Sequence, residues 1–143
     1  MTPTHIILHH SLTKDSETVS WGAIKRYHME EKDPPWRNIG YHFGIEKVGN
    51  DYQILVGRMM NESGAHCPER GMNRISLGIC FIGDYDAEEP PHEMWLLGQE
   101  LVRSLMDVFK IPKTNILGHY ELAPYKSCPG VCFDVEKFRE EVF

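Results

Sequence analysis

The feature that most constrains the fold is an almost continuous apolar run, Leu77-Gly78-Ile79-Cys80-Phe81-Ile82-Gly83. A strand that is apolar at successive positions usually has both of its faces covered, as happens in sheets with helices on both sides. The run therefore predicts a strand at the centre of a sheet, with further layers of structure packed above and below it.

Four further segments have the character of strands. His5 to His9 is a short β-rich run with a polar end, and Asn115 to His119 is short and again ends in histidine. Tyr41 to Val48 and Tyr52 to Val56 flank Gly49-Asn50-Asp51, which is typical of a hairpin. These segments supply the neighbours that the central strand requires.

Helical patterns separate the predicted strands. They run from Thr18 or Ser20 to about Lys32, from Pro90 to about Lys110, and from Asp134 to Val142. Asp33-Pro34-Pro35 stops the first helix. Helical spacing predicts the buried face of the second, at Met94, Leu97, Leu101, Leu105 and Val108. The alternation predicts an α/β fold, a single domain over residues 1–143 with a mixed central β-sheet flanked by helices.

Composition limits the class of protein. A chain of 143 residues is long enough to bury a core without disulfides or metals. It has no stretch of about 18 apolar residues, so we expect no membrane insertion. The net charge of -6 argues against a nucleic-acid partner, which normally meets a basic face. Residues 1–5 lack the start of a secretion signal, so we expect synthesis in the cytoplasm without a signal peptide. The sequence does not determine the oligomeric state, and a monomer is the default expectation.

The cysteines and histidines point to metal binding or catalysis. Without a secretion signal, the four cysteines are expected to be reduced thiols rather than disulfides. Eight histidines are many for so short a chain. Neutral imidazole nitrogens and thiolates are the ligands that zinc prefers.

Two predicted strands end in histidine, at His9-His10 and at His119, and the second is followed by Lys126-Ser127-Cys128-Pro129-Gly130. Catalytic zinc needs three protein ligands and an open fourth position, and two strand-end histidines with one loop thiolate would supply them at one edge of the sheet. The residues alone leave alternatives open. His10 could be the ligand instead of His9, and Cys128 could be a buried apolar residue or pair with Cys132.

Six short motifs in one order identify a family resemblance. They are Ile6–Ser11, Gly40–Phe43, Gly64–His66, Asn73–Ile79, Gly118–Pro124 and Lys126–Gly130. This series resembles the type 2 N-acetylmuramoyl-L-alanine amidases, which include phage lysozyme-type zinc amidases and animal peptidoglycan recognition proteins. The resemblance extends over about residues 5 to 135.

The resemblance implies a role for particular residues. His9, His119 and Cys128 match the family's zinc ligands, so the expected cofactor is Zn²⁺. Tyr41 matches a tyrosine that lines the reaction site, and Lys126 matches a lysine that helps stabilise the transition state. The spacing from His119 to Cys128 is one residue longer than in the shortest phage members, with Tyr125 as the extra residue.

Two further residues are expected to bind substrate. His66 is placed near the groove, where it contacts substrate or orients a loop, and Trp36 lies in a polar loop, where an aromatic ring can stack on a sugar. A structural zinc site closed by Cys132 or His10 is the alternative to an open catalytic site.

The expected function is zinc-dependent cleavage of the amide bond between N-acetylmuramoyl and L-alanine in peptidoglycan or a muropeptide, as in a phage or prophage endolysin. The enzyme would act on the cell wall after release, or remain in the cytosol. The alternatives are a peptidoglycan-binding module without activity and a cytosolic muropeptide-recycling amidase.

Overall fold

The central strand predicted from the apolar run is the middle strand of a five-stranded sheet. In the computed structural model, which describes residues 1–12 and 20–142, the strand order is β3-β2-β4-β1-β5. The strands are β1 His5–His10, β2 Phe43–Val48, β3 Asp51–Val56, β4 Ser76–Phe81 and β5 Ile116–Gly118. All six residues of β4 are buried. The predicted α/β class and mixed sheet are confirmed.

The strand directions bring several strand ends to one edge. β1 pairs in parallel with β4 and β5, and β2 pairs in parallel with β4, whereas β3 is antiparallel to β2 in the predicted hairpin. Leu8 of β1 is in register with Gly118 of β5. The next residues in each chain segment, His9 and His119, therefore emerge side by side at the carboxyl end of the sheet.

In the described residues, four α-helices flank the sheet: α1 Trp21–Arg26, α2 His92–Phe109, α3 His119–Leu122 and α4 Val135–Glu141. Helices α1 and α4 begin at the predicted N-cap residues. The Ser20 hydroxyl accepts a hydrogen bond from the Ala23 N–H, and the Asp134 carboxylate accepts one from the Lys137 N–H. Thr18, the other cap candidate, lies outside the described residues. A π-helical turn, Tyr27–Glu31, continues α1 to the predicted proline stop.

The core lies on both faces of the sheet, and β1 alternates between the two. Ile6 and Leu8 pack with α2 and α4, whereas Ile7 faces the opposite layer. Of the predicted buried face of α2, Met94, Leu101 and Leu105 are buried and Leu97 is partly buried, whereas Val108 is 66% exposed. Val102 and Met106 are also buried. An α-helix has 3.6 residues per turn, so positions three and four residues apart share its buried face.

The remaining differences concern element ends. The strand expected from Tyr41 begins at Phe43, and the strand expected over 115–119 is only three residues long. His119 is the first residue of α3 rather than the last of a strand. Two 3-10 segments, Glu69–Arg74 and Lys113–Asn115, have no counterpart in the sequence prediction. Across the described part of the chain, we find no helix both long and apolar enough to cross a bilayer.

Candidate functional site

Two histidines and one cysteine meet at the carboxyl end of β1 and β5. His9 Nδ1 lies 3.5 Å from Cys128 Sγ, and the rings of His9 and His119 have centroids 4.7 Å apart. One donor atom from each of the three residues falls within 4.8 Å of the others. Both histidines are almost completely buried, at 2% and 4% exposure. The structure thus brings together the three residues that the sequence identified as metal ligands.

The pleat of β1 separates His9 from its neighbour. His10 lies on the other face, where its Nδ1 accepts a hydrogen bond from the Tyr85 N–H at 3.1 Å. Cys132 also faces elsewhere, since its thiol donates to the Asp86 carbonyl oxygen at 3.5 Å. Cys128 and Cys132 are both free thiols. Neither alternative ligand therefore belongs to the cluster of donor atoms formed by His9, His119 and Cys128.

The loop that carries Cys128 is held by backbone and carboxylate contacts. The His10 N–H points at Cys128 Sγ at 3.4 Å, and the Tyr120 N–H donates to the Cys128 carbonyl oxygen at 2.8 Å. Asp86 accepts from the Ser127 hydroxyl and from the Val131 N–H, each at 2.9 Å. These bonds tie the loop on both sides of Cys128 to β1, to α3 and to Asp86.

His9 is oriented by a chain of hydrogen bonds behind it. Its Nε2 lies 2.9 Å from His66 Nδ1, His66 Nε2 lies 3.5 Å from the Ser76 hydroxyl, and that hydroxyl donates to the Met72 carbonyl oxygen at 2.6 Å. The chain is consistent when His9 and His66 each carry their proton on Nε2. His9 Nδ1, which faces Cys128, then offers a free lone pair.

His119 is oriented by a carboxylate. Its Nε2 lies 2.6 Å from Glu69 Oε1, so Nε2 carries the proton and Nδ1 is the nitrogen left free to bind a metal. The sequence analysis did not identify Glu69. Its position three residues after His66 has no diagnostic spacing, and only the requirement that a ligand histidine be hydrogen-bonded could have suggested such a partner.

Burial sets the protonation of the cluster. It lowers the pKa of His9 well below its usual value, lowers that of His119, and lowers the pKa of His66 to about 3. The imidazoles are therefore neutral, as metal ligands and their hydrogen-bond partners must be. Burial also raises the pKa of the metal-free Cys128 thiol to about 12.

Tyr41 stands over the same cluster. Its ring centroid lies 5.2 Å from that of His9, and burial, together with the nearby Cys80 and Cys128, raises the pKa of its phenol well above the usual value. The Tyr41 hydroxyl therefore stays protonated at neutral pH and can serve as a hydrogen-bond donor.

An open groove of about 490 Å³ runs over these residues. Its lining includes every residue that the sequence proposed for the site: His9, Trp36, Tyr41, His66, His119, Lys126 and Cys128. Trp36 is half-buried on one wall, with the Lys32 ammonium 5.0 Å from its ring and the His28 ring 4.5 Å away. Lys126 is exposed on the other wall, with its ammonium 5.9 Å from the Tyr125 ring.

The donor set fits zinc. Two neutral imidazole nitrogens and one thiol sulfur are the borderline-soft ligands that Zn²⁺ takes in catalytic sites. Each histidine has its second nitrogen engaged by a neighbouring residue, which is typical of metal-ligating histidines. Three protein donors beside an open groove leave room for a further ligand.

Comparison with known proteins agrees with the resemblance found in the sequence. The family model of the N-acetylmuramoyl-L-alanine amidases (Amidase_2) matches residues 1–131. The chain belongs to this family. The predicted membership is confirmed, and with it the N-acetylmuramoyl-L-alanine amidase activity.

Individual relatives of this amidase come from phages, bacteria and insects. The endolysin of Escherichia phage T7 is 32% identical over 142 residues, which cover 95% of this chain and 85% of that protein. The solved endolysin amidase LysCS from Clostridium intestinale superposes with a TM-score of 0.80 at 28% identity, covering 99% and 84%. A variant of Drosophila PGRP-LB, solved in complex with tracheal cytotoxin, has a TM-score of 0.76 at 30% identity, covering 95% and 80%.

Proposed function

We propose that this amidase is zinc-dependent, that His9, His119 and Cys128 hold the ion, and that it cuts the bond between N-acetylmuramoyl and L-alanine as a monomer. The observation that supports this most directly is the convergence of two oriented imidazoles and one thiol, with donor atoms within 4.8 Å, in the floor of an open groove. When bound there, zinc supplies Lewis-acid polarisation of the amide carbonyl and lowers the pKa of water from about 15.7 to about 7.

Tyr41 and Lys126 are the proposed catalytic residues. The Tyr41 hydroxyl, which burial keeps protonated, donates a hydrogen bond to the carbonyl oxygen of the scissile amide. The Lys126 ammonium lies on the facing wall and places a positive charge where negative charge develops on that oxygen. Tyr41 and Lys126 both line the groove that receives the leaving amine, so these two residues are the proposed sources of the proton that the amine needs.

The wall formed by Trp36 is the proposed place for the sugar. Its ring is half-buried, lies 4.5 Å from the His28 ring and lines the groove. A flat apolar ring of this kind can stack on the apolar face of a sugar. We propose that His66 orients His9 by a hydrogen bond, since His66 is only 8% exposed and its Nδ1 faces His9 Nε2.

We propose wall peptidoglycan as the main substrate, reached after release of the protein, because phage endolysins are among its relatives. Soluble muropeptides are the second candidate, because the PGRP-LB neighbour is solved in complex with tracheal cytotoxin. Both substrates contain the same scissile amide, so the groove chemistry is common to them.

Comparing hydrolysis of purified sacculi with hydrolysis of a soluble muramoyl-peptide tests this function. We expect zinc-loaded protein to release amino-terminal L-alanine from both, and to solubilise sacculi. Cleavage of the soluble fragment alone would make the protein a muropeptide-trimming amidase. Binding of sacculi without release of any L-alanine amino terminus would overturn the enzymatic proposal and leave a peptidoglycan-binding module.

A further inference from the structure

Glu69 occupies an unusual position beside the proposed zinc site. Its two carboxylate oxygens are used separately: Oε1 accepts from His119 Nε2 at 2.6 Å, and Oε2 accepts from the Tyr125 hydroxyl at 3.2 Å. The Glu69 side chain is only 17% exposed. One carboxylate therefore connects a proposed metal ligand to a residue on the wall of the groove.

The Glu69–His119 contact is a hydrogen bond and not half of a second metal site. Cys67, Glu69 and His119 also place donor atoms within 4.8 Å of one another. However, nitrogen and oxygen ligands of one tetrahedral zinc, each at about 2.0–2.1 Å from the ion, lie about 3.3 Å apart. The 2.6 Å separation is too short for that arrangement and suits a strong hydrogen bond to a carboxylate.

We propose that Glu69 is a positioning residue that holds His119 in the tautomer and ring orientation needed to bind zinc through Nδ1. The inference rests on the proposed zinc site. A carboxylate that accepts the outer N–H of a ligand histidine fixes its rotation and makes the inner nitrogen a better donor. The other proposed ligand, His9, is held by the neutral His66, so of the two histidines His119 is the one oriented by a carboxylate.

The same carboxylate also restrains the loop that carries Lys126. Tyr125 is 75% exposed, and its hydroxyl bond to Glu69 anchors it to the opposite segment, Glu69–Arg74. Lys126 follows Tyr125 directly, and the Lys126 N–H donates to the Ala123 carbonyl oxygen at 2.9 Å. Glu69 thus has two connections, and they can be separated by mutation.

Zinc affinity, measured by competition with a chromogenic chelator, tests the inference in four variants. We expect Glu69→Ala to bind zinc about 10- to 100-fold more weakly than wild type. Glu69→Gln should recover most of that loss, because its amide oxygen can accept the same hydrogen bond. Tyr125→Phe should bind zinc within about twofold of wild type, since it removes only the second connection. Glu100→Gln, at an exposed position on α2, is the matched control.

The absorption spectrum of the Co²⁺-loaded protein is a readout that does not depend on activity. We expect the d–d bands to shift in Glu69→Ala and to be restored in Glu69→Gln, because the geometry of one imidazole ligand changes and returns. An unchanged affinity and an unchanged spectrum in Glu69→Ala would overturn the inference.

Two outcomes separate this inference from the function on which it rests. If wild-type protein binds no zinc, the proposed function itself fails. If wild type binds a second equivalent of zinc that is lost in Cys67→Ser, then Cys67, Glu69 and His119 form a metal site, and the positioning role is overturned while the first zinc site stands.

Discussion

At the scale of single residues, the site depends on which nitrogen of each imidazole carries a proton. His66 Nδ1 and Glu69 Oε1 accept hydrogen bonds from the Nε2–H groups of His9 and His119, which leaves a free lone pair on both Nδ1 atoms. The sequence predicted the proposed ligands because strand ends and family motifs mark them. It could not identify Glu69, because the contact joins residues 50 positions apart through a loop without a recognisable pattern.

We expect Cys128, as a proposed ligand, to make zinc binding dependent on pH. Burial raises the pKa of its thiol to about 12, and the thiol must lose its proton to bind the ion. The two ligand histidines are already neutral, so we expect the apparent zinc affinity to rise about tenfold per pH unit between pH 6.5 and 8.5, as one proton is released.

Chelator competition across that pH range measures this dependence. Cys128→Asp is the matched variant, because its carboxylate is already ionised and should give a much flatter profile. A zinc affinity of the wild type that does not change with pH would contradict a thiolate ligand.

Lys126 is predicted to serve catalysis and not metal binding. Lys126→Ala removes the positive charge beside the developing oxyanion, so we expect turnover to fall about 10²- to 10³-fold. Zinc affinity should stay within a few-fold of wild type, because an ammonium group has no lone pair with which to bind a metal ion. Steady-state hydrolysis and chelator competition on one preparation, with exposed Lys137→Ala as control, check this; equal losses of both quantities would contradict it.

At the scale of secondary-structure elements, the two-residue alternation of side chains along a strand determines which histidine of β1 joins the site. Side chains alternate across a strand, so a shift of one residue in β1 would exchange His9 and His10 between the groove and the opposite face. The sequence left that choice open, and the pairing of β1 with β4 and β5 decides it. The 3-10 segment that carries Glu69 could not be predicted from the sequence. It has no apolar periodicity that would indicate a helix, and Arg70 and Gly71 interrupt it with positive φ angles.

Gly78 of β4 lies directly against the ring of His66. A Cβ at this position would lie 2.5 Å from the His66 ring, so Gly78→Ala forces that ring to move. We expect the free energy of unfolding to fall by about 1–3 kcal/mol and zinc affinity to fall with it, since His66 orients His9.

Urea unfolding and chelator competition measure both effects of Gly78→Ala. Gly22→Ala is the control, since its Cβ meets atoms no closer than 3.7 Å and alanine favours a helix, so stability there should be unchanged or slightly raised. Full stability and full zinc affinity in Gly78→Ala would show that the ring contact is unimportant.

At the scale of the whole molecule, buried neutral histidines make the fold sensitive to acid. Burial, with Lys32 and Arg58 nearby, lowers the pKa of His28 to about 4, whereas its unfolded value is 6.5. Between these values the unfolded chain binds a proton that the folded protein excludes, so the free energy of unfolding falls as the pH drops from about 6.5 to about 4.

His28→Asn isolates this contribution, since the asparagine oxygen can still accept the Gly40 N–H that bonds His28 Nδ1. We expect wild type to lose stability relative to this variant as the pH falls through the window. Urea midpoints at pH 7, 6, 5 and 4 test it, with His92→Asn at an exposed position for comparison. A difference between wild type and His28→Asn that stays constant with pH would contradict the prediction.

The central claim is that this chain hydrolyses the muramoyl–alanine amide with zinc held by His9, His119 and Cys128. The most direct measurement counts new amino-terminal L-alanine released from purified peptidoglycan by zinc-loaded protein, by the same protein after chelation, and after zinc is restored. We expect release, loss of release and recovery, in that order. Undiminished release after complete removal of zinc, or no release by folded, zinc-loaded protein, would contradict the claim.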